Sequence, residues 1–125
     1  MLTTGARVTE YFGSEHRQSP YLRRSHPDPL VQIHPEAATA RGIAEADWVY
    51  VESPRGRARL KAKLFDGIDP RVVCAEFGWW YPERSAPDYG FMDSNINMLT
   101  DDTNVGPESG ATNLRGLMCE VRKAA

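Results

Sequence analysis

Two polar segments near the ends of the 125-residue chain carry the side chains best suited to hold an anion and a heterocycle. The first runs from Leu2 to Gln18, and the second runs from Asn97 to Arg115. Their arginines offer planar forks that match phosphate oxygens. Their asparagines combine a donor with an acceptor, and glycine lets the backbone approach a ligand closely. The two segments therefore predict a site for a ligand that contains both phosphates and a heterocycle.

Ordinary structural explanations exist for the same residues. A Thr-Gly pair near arginines is a common loop composition, and an Asn-x-Leu-Thr step such as Asn97–Thr100 is typical of a capped turn. Arg115 precedes a terminal strand and could be a surface charge. Of the adjacent Trp79 and Trp80, we expect one to be buried and the other to line a groove. His34 is expected to be structural or solvated.

Composition limits the class of protein. The length indicates one domain, and 41% hydrophobic residues are enough for a real core. A net charge of −2 and a pI near 5.9 give no basic footprint for nucleic acid. Cys74 and Cys119 show neither disulfide nor metal-ligand spacing. No apolar run is long enough for a membrane span, so membrane insertion is not expected, and no signal peptide is visible.

The elements that must position the two segments are mostly strands. Residues 1–29 predict an irregular arm, and residues 82–113 predict a long loop of the kind that is usually functional or disordered. Pro35–Gly42 has proline at its start and glycine at its end, which predicts a short helix. Apolar residues alternate in the segments between, and this predicts strands at Leu30–His34, Asp47–Ser53, Arg57–Phe65, Val72–Phe77 and Leu117–Arg122. The pattern favours a small β-barrel.

The order of short motifs resembles the C-terminal dinucleotide-binding domain of the molybdopterin oxidoreductases, the dimethyl sulfoxide reductase family. The motifs are Val31-Gln32-Ile33-His34-Pro35-Glu36-Ala37-Ala38, Gly42-Ile43, Asp47-Trp48-Val49, Glu52-Ser53-Pro54-Arg55-Gly56, Ile68-x-Pro70, Gly78-Trp79-Trp80 and Asn97-x-Leu99-Thr100. Further residues favour the branch with acetylene hydratase and formate dehydrogenase-like or thiosulfate reductase-like enzymes. These are Tyr11-Phe12, Ser14-Glu15-x-Arg17-Gln18 and Gly110-Ala111-x-Asn113-Leu114-Arg115.

Three positions depart from the family pattern. Ala46 and Arg71 stand where the family usually has glycine, and both changes fall in turns. Gly13 stands where this branch often has histidine, so a histidine contact to the cofactor is not available at that position.

The resemblance implies a six-stranded double-psi β-barrel and one domain over residues 1–125. Within it, residues 1–29 would be a cofactor-contacting arm, 30–81 the barrel strands, 82–116 a loop with the second contacting segment, and 117–125 the last strand. The implied ligand is a molybdopterin guanine dinucleotide whose molybdenum or tungsten is held by other domains. The implied cofactor-binding residues are Thr4, Gly5, Arg7, Phe12, Ser14, Glu15, Arg17, Asn97, Asn113 and Arg115.

No residue of this chain is assigned a catalytic or metal-binding role. The implied partners are the catalytic domains of a parent oxidoreductase, either in the same polypeptide or as another subunit. One alternative is an adaptor barrel, in which the basic run Arg57–Lys63 would be a contact surface. A second alternative is a self-cleaving decarboxylase barrel, for which Gly13-Ser14 would be the cleavage point.

Overall fold

The computed structural model describes all residues, 1–125, and is mainly β, as the alternating segments predicted. The strands are β1 Leu2–Ala6, β2 Leu30–Ile33, β3 Trp48–Ser53, β4 Gly56–Leu64, β5 Val73–Glu76, β6 Arg115–Leu117 and β7 Glu120–Lys123. The helices are α1 Pro20–Ser25, α2 Pro35–Ala40 and α3 Phe91–Ser94, with a 3₁₀ turn at Ile96–Met98. None of the helices has the length and apolar character that crossing a membrane requires.

The strands form one seven-stranded sheet in the order β6-β1-β5-β2-β4-β3-β7. The β1–β5 and β2–β4 pairs are parallel, and the other neighbours are antiparallel. The prediction of six strands was therefore wrong in number, and the sheet has β6 and β7 at its two ends rather than a closing pair.

The predicted last strand Leu117–Arg122 is divided between β6 and β7. The strand that the sequence did not predict is β1, which lies in the segment predicted as an irregular arm. Its residues Leu2 and Thr4 are buried while Thr3 and Gly5 are half-buried, so the period-two pattern is present. The sequence signal was weak because threonine and glycine occupy three of the five positions. The arm also contains the short helix α1.

The predicted hairpin of β3 and β4 has one face in the core. Val49, Val51 and Leu60 are fully buried, and the burial of β4 alternates along its length. On the opposite face, Arg59 lies 4.4 Å from the centroid of the Trp48 ring. Arginine can stack on an aromatic face while its charge stays hydrated, so the alternating basic run is the outer face of this hairpin.

Helix α2 has the two ends that the sequence predicted. His34 caps it through Nδ1, which accepts from the Glu36 amide at 3.2 Å, and this confirms the structural role expected for this histidine. Gly42 follows the helix with a φ of +65°, a left-handed conformation that glycine adopts without strain.

The long loop at 82–113 is not uniformly irregular. Helix α3 and the 3₁₀ turn lie within it, and Ile96 and Leu99 are buried in the main core. The two elements are too short to produce a clear helical period in the sequence. Their packing attaches the middle of the loop to the sheet.

Candidate functional site

Strand pairing brings the two polar segments together. Strands β1 and β6 are antiparallel neighbours, with Thr3 opposite Arg115. The Thr4 hydroxyl donates to the Leu114 carbonyl at 2.6 Å, and Thr4 is 7% exposed. Thr4 therefore links the chain ends to each other.

Gly5 and Arg115 form the closest contact between the two segments. Gly5 has a φ of +102°, and a Cβ at this position would lie 3.5 Å from Nη2 of Arg115. Asn113 fixes the backbone at Arg115, because its Oδ1 accepts from the Arg115 backbone amide at 3.1 Å. Arg115 is exposed and takes part in none of the ion pairs within the chain, so its guanidinium has donors available for an anion.

A groove of about 440 Å³ lies beside the end of β1, and we name it the Arg7 groove. Arg7, Phe12, Gly13, Arg17 and Phe77 are among its lining residues. Phe12 is 78% exposed, which is unusual for a side chain of its size and makes its ring available for stacking. The groove thus contains three of the predicted binding residues.

Arg17 lies within the wall of this groove and is only 1% exposed. Its guanidinium stacks 4.3 Å from the Tyr11 ring centroid and donates to the carbonyls of Gly13 and Phe77. Nε has no partner in the chain. Burial lowers the pKa of Arg17. The sequence predicted that the Arg17 guanidinium is open to phosphate. In the structure, backbone carbonyls and aromatic faces already contact most of it.

A second groove of about 560 Å³ contains Ser14 and Glu15, and we name it the Trp80 groove. Trp80 Nε1 donates to the Ser14 carbonyl at 2.5 Å, and the Trp80 ring lies edge-on to Tyr89 with centroids 5.8 Å apart. Trp79 is fully buried. The expectation that one tryptophan is buried and the other lines a groove is confirmed.

The two grooves adjoin at a crossing of two backbone segments. Gly78 has a φ of +74°, and a Cβ there would lie 3.1 Å from the Ser14 amide nitrogen. Gly13 and Phe77 line the Arg7 groove, whereas Ser14 and Gly78 line the Trp80 groove. A ligand longer than one groove could therefore extend over both sides of this crossing.

Asn97 lines neither groove. It lies on the 3₁₀ turn and is exposed, and its amide donates to Oδ1 of Asn95 at 3.0 Å. Asn95 lines the Trp80 groove instead, and its Nδ2 donates to the Trp79 carbonyl at 3.4 Å. Sequence reasoning missed Asn95, although the Asn-x-Asn spacing contained the signal.

A pair of a half-buried histidine and a buried carboxylate was also missed. Nε2 of His26 lies 2.9 Å from the Glu76 carboxylate, which also accepts from the Leu30 amide at 3.2 Å. The Tyr11 hydroxyl donates to the His26 carbonyl at 2.7 Å. Because the partners are far apart in sequence, no local motif could have indicated the pair. Glu76 also lines the Arg7 groove, so this hydrogen-bond network extends to the wall of the groove.

The remaining titratable groups show no metal site. No cluster of three or more His, Cys, Asp or Glu side chains is arranged to hold an ion. Cys74 and Cys119 are free, and burial raises the pKa of both thiols.

Comparison with known proteins identifies close relatives. The family model described as "Molydopterin dinucleotide binding domain" matches residues 1–118. The chain is 41% identical over 122 residues to a dopamine dehydroxylase from Eggerthella lenta, covering 98% of this chain and 12% of that protein. It is 34% identical over 123 residues to an acetylene hydratase from Syntrophotalea acetylenica, covering 93% of this chain and 17% of that protein.

A solved structure has the same fold. The acetylene hydratase from Pelobacter acetylenicus matches 98% of this chain with a TM-score of 0.92 and 32% identity. The match covers 18% of that structure's chain. The chain thus spans less than a fifth of the length of each of these relatives.

Proposed function

This chain belongs to the molybdopterin dinucleotide-binding domain family, and from that premise we propose that its two polar segments hold a molybdopterin guanine dinucleotide along the two adjoining grooves. The observation that carries the proposal is the contact of Gly5 with the unpaired guanidinium of Arg115 beside the Arg7 groove. The contact places the guanidinium of Arg115, which has no ion-pair partner, beside the Gly5 backbone, which carries no side chain. That combination suits a pyrophosphate.

The proposed roles follow from where each residue lies. Arg7 and Arg115 are exposed cations and would contact the phosphates. Phe12 would stack on a ring. Ser14 and Glu15 lie in the Trp80 groove and would accept from ring N–H groups.

The other predicted residues would act mainly as supports. Thr4 and Asn113 hold Leu114 and Arg115 in place through their own hydrogen bonds. Arg17 holds the Gly13 and Phe77 carbonyls at the junction of the grooves. Asn97 lines neither groove and would contact the ligand only where it extends past the Trp80 groove, next to Asn95.

We further propose that the chain functions within a larger molybdenum or tungsten oxidoreductase. The short coverage of each relative supports this proposal. Other domains, in the same polypeptide or in another subunit, would hold the metal and supply the redox chemistry. The exposed Met118 side chain provides apolar surface for such a contact. The division into an arm, barrel strands, a contacting loop and a last strand is part of the same proposal.

The finer fold assignment is also a proposal. A double-psi β-barrel requires strands that pair with partners distant in sequence, in both orientations. The parallel β1–β5 and β2–β4 pairs, next to the antiparallel β2–β5 pair, support it. The strand order ends at β6 and β7, so the proposal also needs hydrogen bonds that join these two ends. A crystal structure of the parent protein in which the ends stay apart would contradict it.

A guanine nucleotide titration tests the binding proposal. GDP supplies the pyrophosphate and the guanine, and calorimetry on the 125-residue chain should detect binding that ADP does not match. The R115Q variant should weaken it by about tenfold to a hundredfold, since a charge-assisted hydrogen bond contributes ~1.5–3 kcal/mol. R59Q is the matched control because Arg59 stacks on the outer face of the hairpin, away from both grooves. Absence of binding by GDP would favour the adaptor alternative.

A further inference from the structure

The turn between β3 and β4 contacts the segment that carries Asn97. The Ser53 hydroxyl donates to the Leu99 carbonyl at 3.0 Å. The same oxygen accepts from the Arg55 amide at 3.2 Å. One side chain therefore closes the hairpin turn and fixes the residue that ends the 3₁₀ turn.

Gly56 makes the contact close. A Cβ on Gly56 would lie 2.9 Å from the Met98 carbonyl oxygen, a separation that real Cβ atoms essentially never show. The neighbour is backbone and cannot rotate away. Any larger residue at position 56 would therefore push the Asn97 segment off the hairpin.

Arg55 forms the third attachment. Its guanidinium donates to Asp101, and to Oδ1 of Asp102 at 3.1 Å. Asp101 also accepts from the amide and the hydroxyl of Thr103, at 2.8 and 2.6 Å. The hydrogen bonds from Arg55 and Thr103 hold the pKa of Asp101 well below its ordinary value. The carboxylate thus stays ionised and keeps the chain beyond Asn97 folded back on itself.

None of these hairpin residues lines either groove. We propose that Ser53, Arg55 and Gly56 are positioning residues, which fix the 97–103 segment so that Asn97 is presented to a bound dinucleotide that extends past the Trp80 groove, next to Asn95. This inference rests on the proposed function for its ligand. Asn97 needs such support because it lies on one exposed 3₁₀ turn rather than on a strand.

The test is a thermodynamic cycle on the 125-residue chain with GDP as the probe. R55Q should weaken GDP binding about threefold to tenfold, the effect of one misplaced hydrogen bond. In the N97A background, R55Q should have no further effect, because the arginine acts through Asn97. R71Q is the matched control, since Arg71 also pairs with an aspartate of an exposed turn. Equal weakening by R55Q in both backgrounds would overturn the proposal.

Hydrogen exchange separates this proposal from the binding proposal. R55Q should speed amide exchange in residues 97–103 and leave the melting temperature and the exchange of β1 and β5 unchanged. If the wild-type chain does not bind GDP, the proposed function fails, and faster exchange confined to 97–103 would still support the clamp. Unchanged exchange in that segment would overturn the clamp whether or not GDP binds.

Discussion

Gly5 and Arg115 lie near opposite ends of the chain, and the Cβ that Gly5 lacks would be 3.5 Å from Nη2 of Arg115. The φ of Gly5 is +102°, in a region that side chains with a Cβ rarely adopt. The conformation, rather than the contact, requires glycine here, because 3.5 Å is an ordinary van der Waals separation. The Arg115 guanidinium lies against the β1 backbone at this glycine.

The first prediction concerns this glycine. G5A should lower the free energy of unfolding by about 1–2 kcal/mol because of backbone strain. It should also weaken GDP binding, since relief of that strain would shift the β1 backbone against which Arg115 lies. G110A is the control: Gly110 has a φ of +69° and open space around it, so it has the strain without the contact. Urea unfolding and calorimetry measure the two effects. Equal loss of GDP affinity in both variants would contradict the role given to the Gly5–Arg115 contact.

The sequence predicted the elements that have a long alternating pattern or clear end signals. The nine residues of β4 alternate without interruption, and helix α2 has a proline at its start and a glycine after its end. The sequence did not predict strand β1, because its polar residues are typical of a loop. It forms a strand because it pairs with β5 and β6. Non-local pairing of this kind leaves no local signal.

The site was predictable in composition but not in arrangement. Sequence reasoning selected Ser14, Glu15 and Arg115, which the structure leaves exposed. It could not show that Arg17 is enclosed by Tyr11, because burial depends on packing among distant segments.

The second prediction concerns Arg17 as a structural cation. R17M should lower the free energy of unfolding by about 2–4 kcal/mol, since it leaves the Gly13 and Phe77 carbonyls without their donor and disturbs the packing against Tyr11. R17K keeps the charge but not the planar stacking, and should recover only part of the loss. Urea unfolding measures both. A variant R17M as stable as wild type, with weakened GDP binding alone, would instead support a direct phosphate contact.

The third prediction concerns alkaline pH. Burial raises the pKa of Cys74, of Cys119 and of Tyr11 above their ordinary values. Because the folded pKa is above the unfolded one, each group favours the folded state fully below its unfolded pKa, and this contribution is lost as pH rises through the folded pKa. The urea midpoint should therefore fall between pH 8 and pH 10.5. In the double variant C74A/C119A, the urea midpoint should decrease less over this pH range. A decrease as large as in the wild type would assign the effect to Tyr11 or other groups.

The last prediction uses Trp80 as a reporter of the ligand. Of the three tryptophans, Trp79 is fully buried and Trp48 is covered by Arg59 on the outer hairpin face. Trp80 lines the groove of Ser14 and Glu15, so GDP bound there should quench its fluorescence. W80F should remove this quenching while calorimetry still detects binding, although weaker, because the hydrogen bond to the Ser14 carbonyl is lost. Quenching that persists in W80F would contradict Trp80 as the reporter and would assign the signal to Trp79, which also lines this groove, or to Trp48.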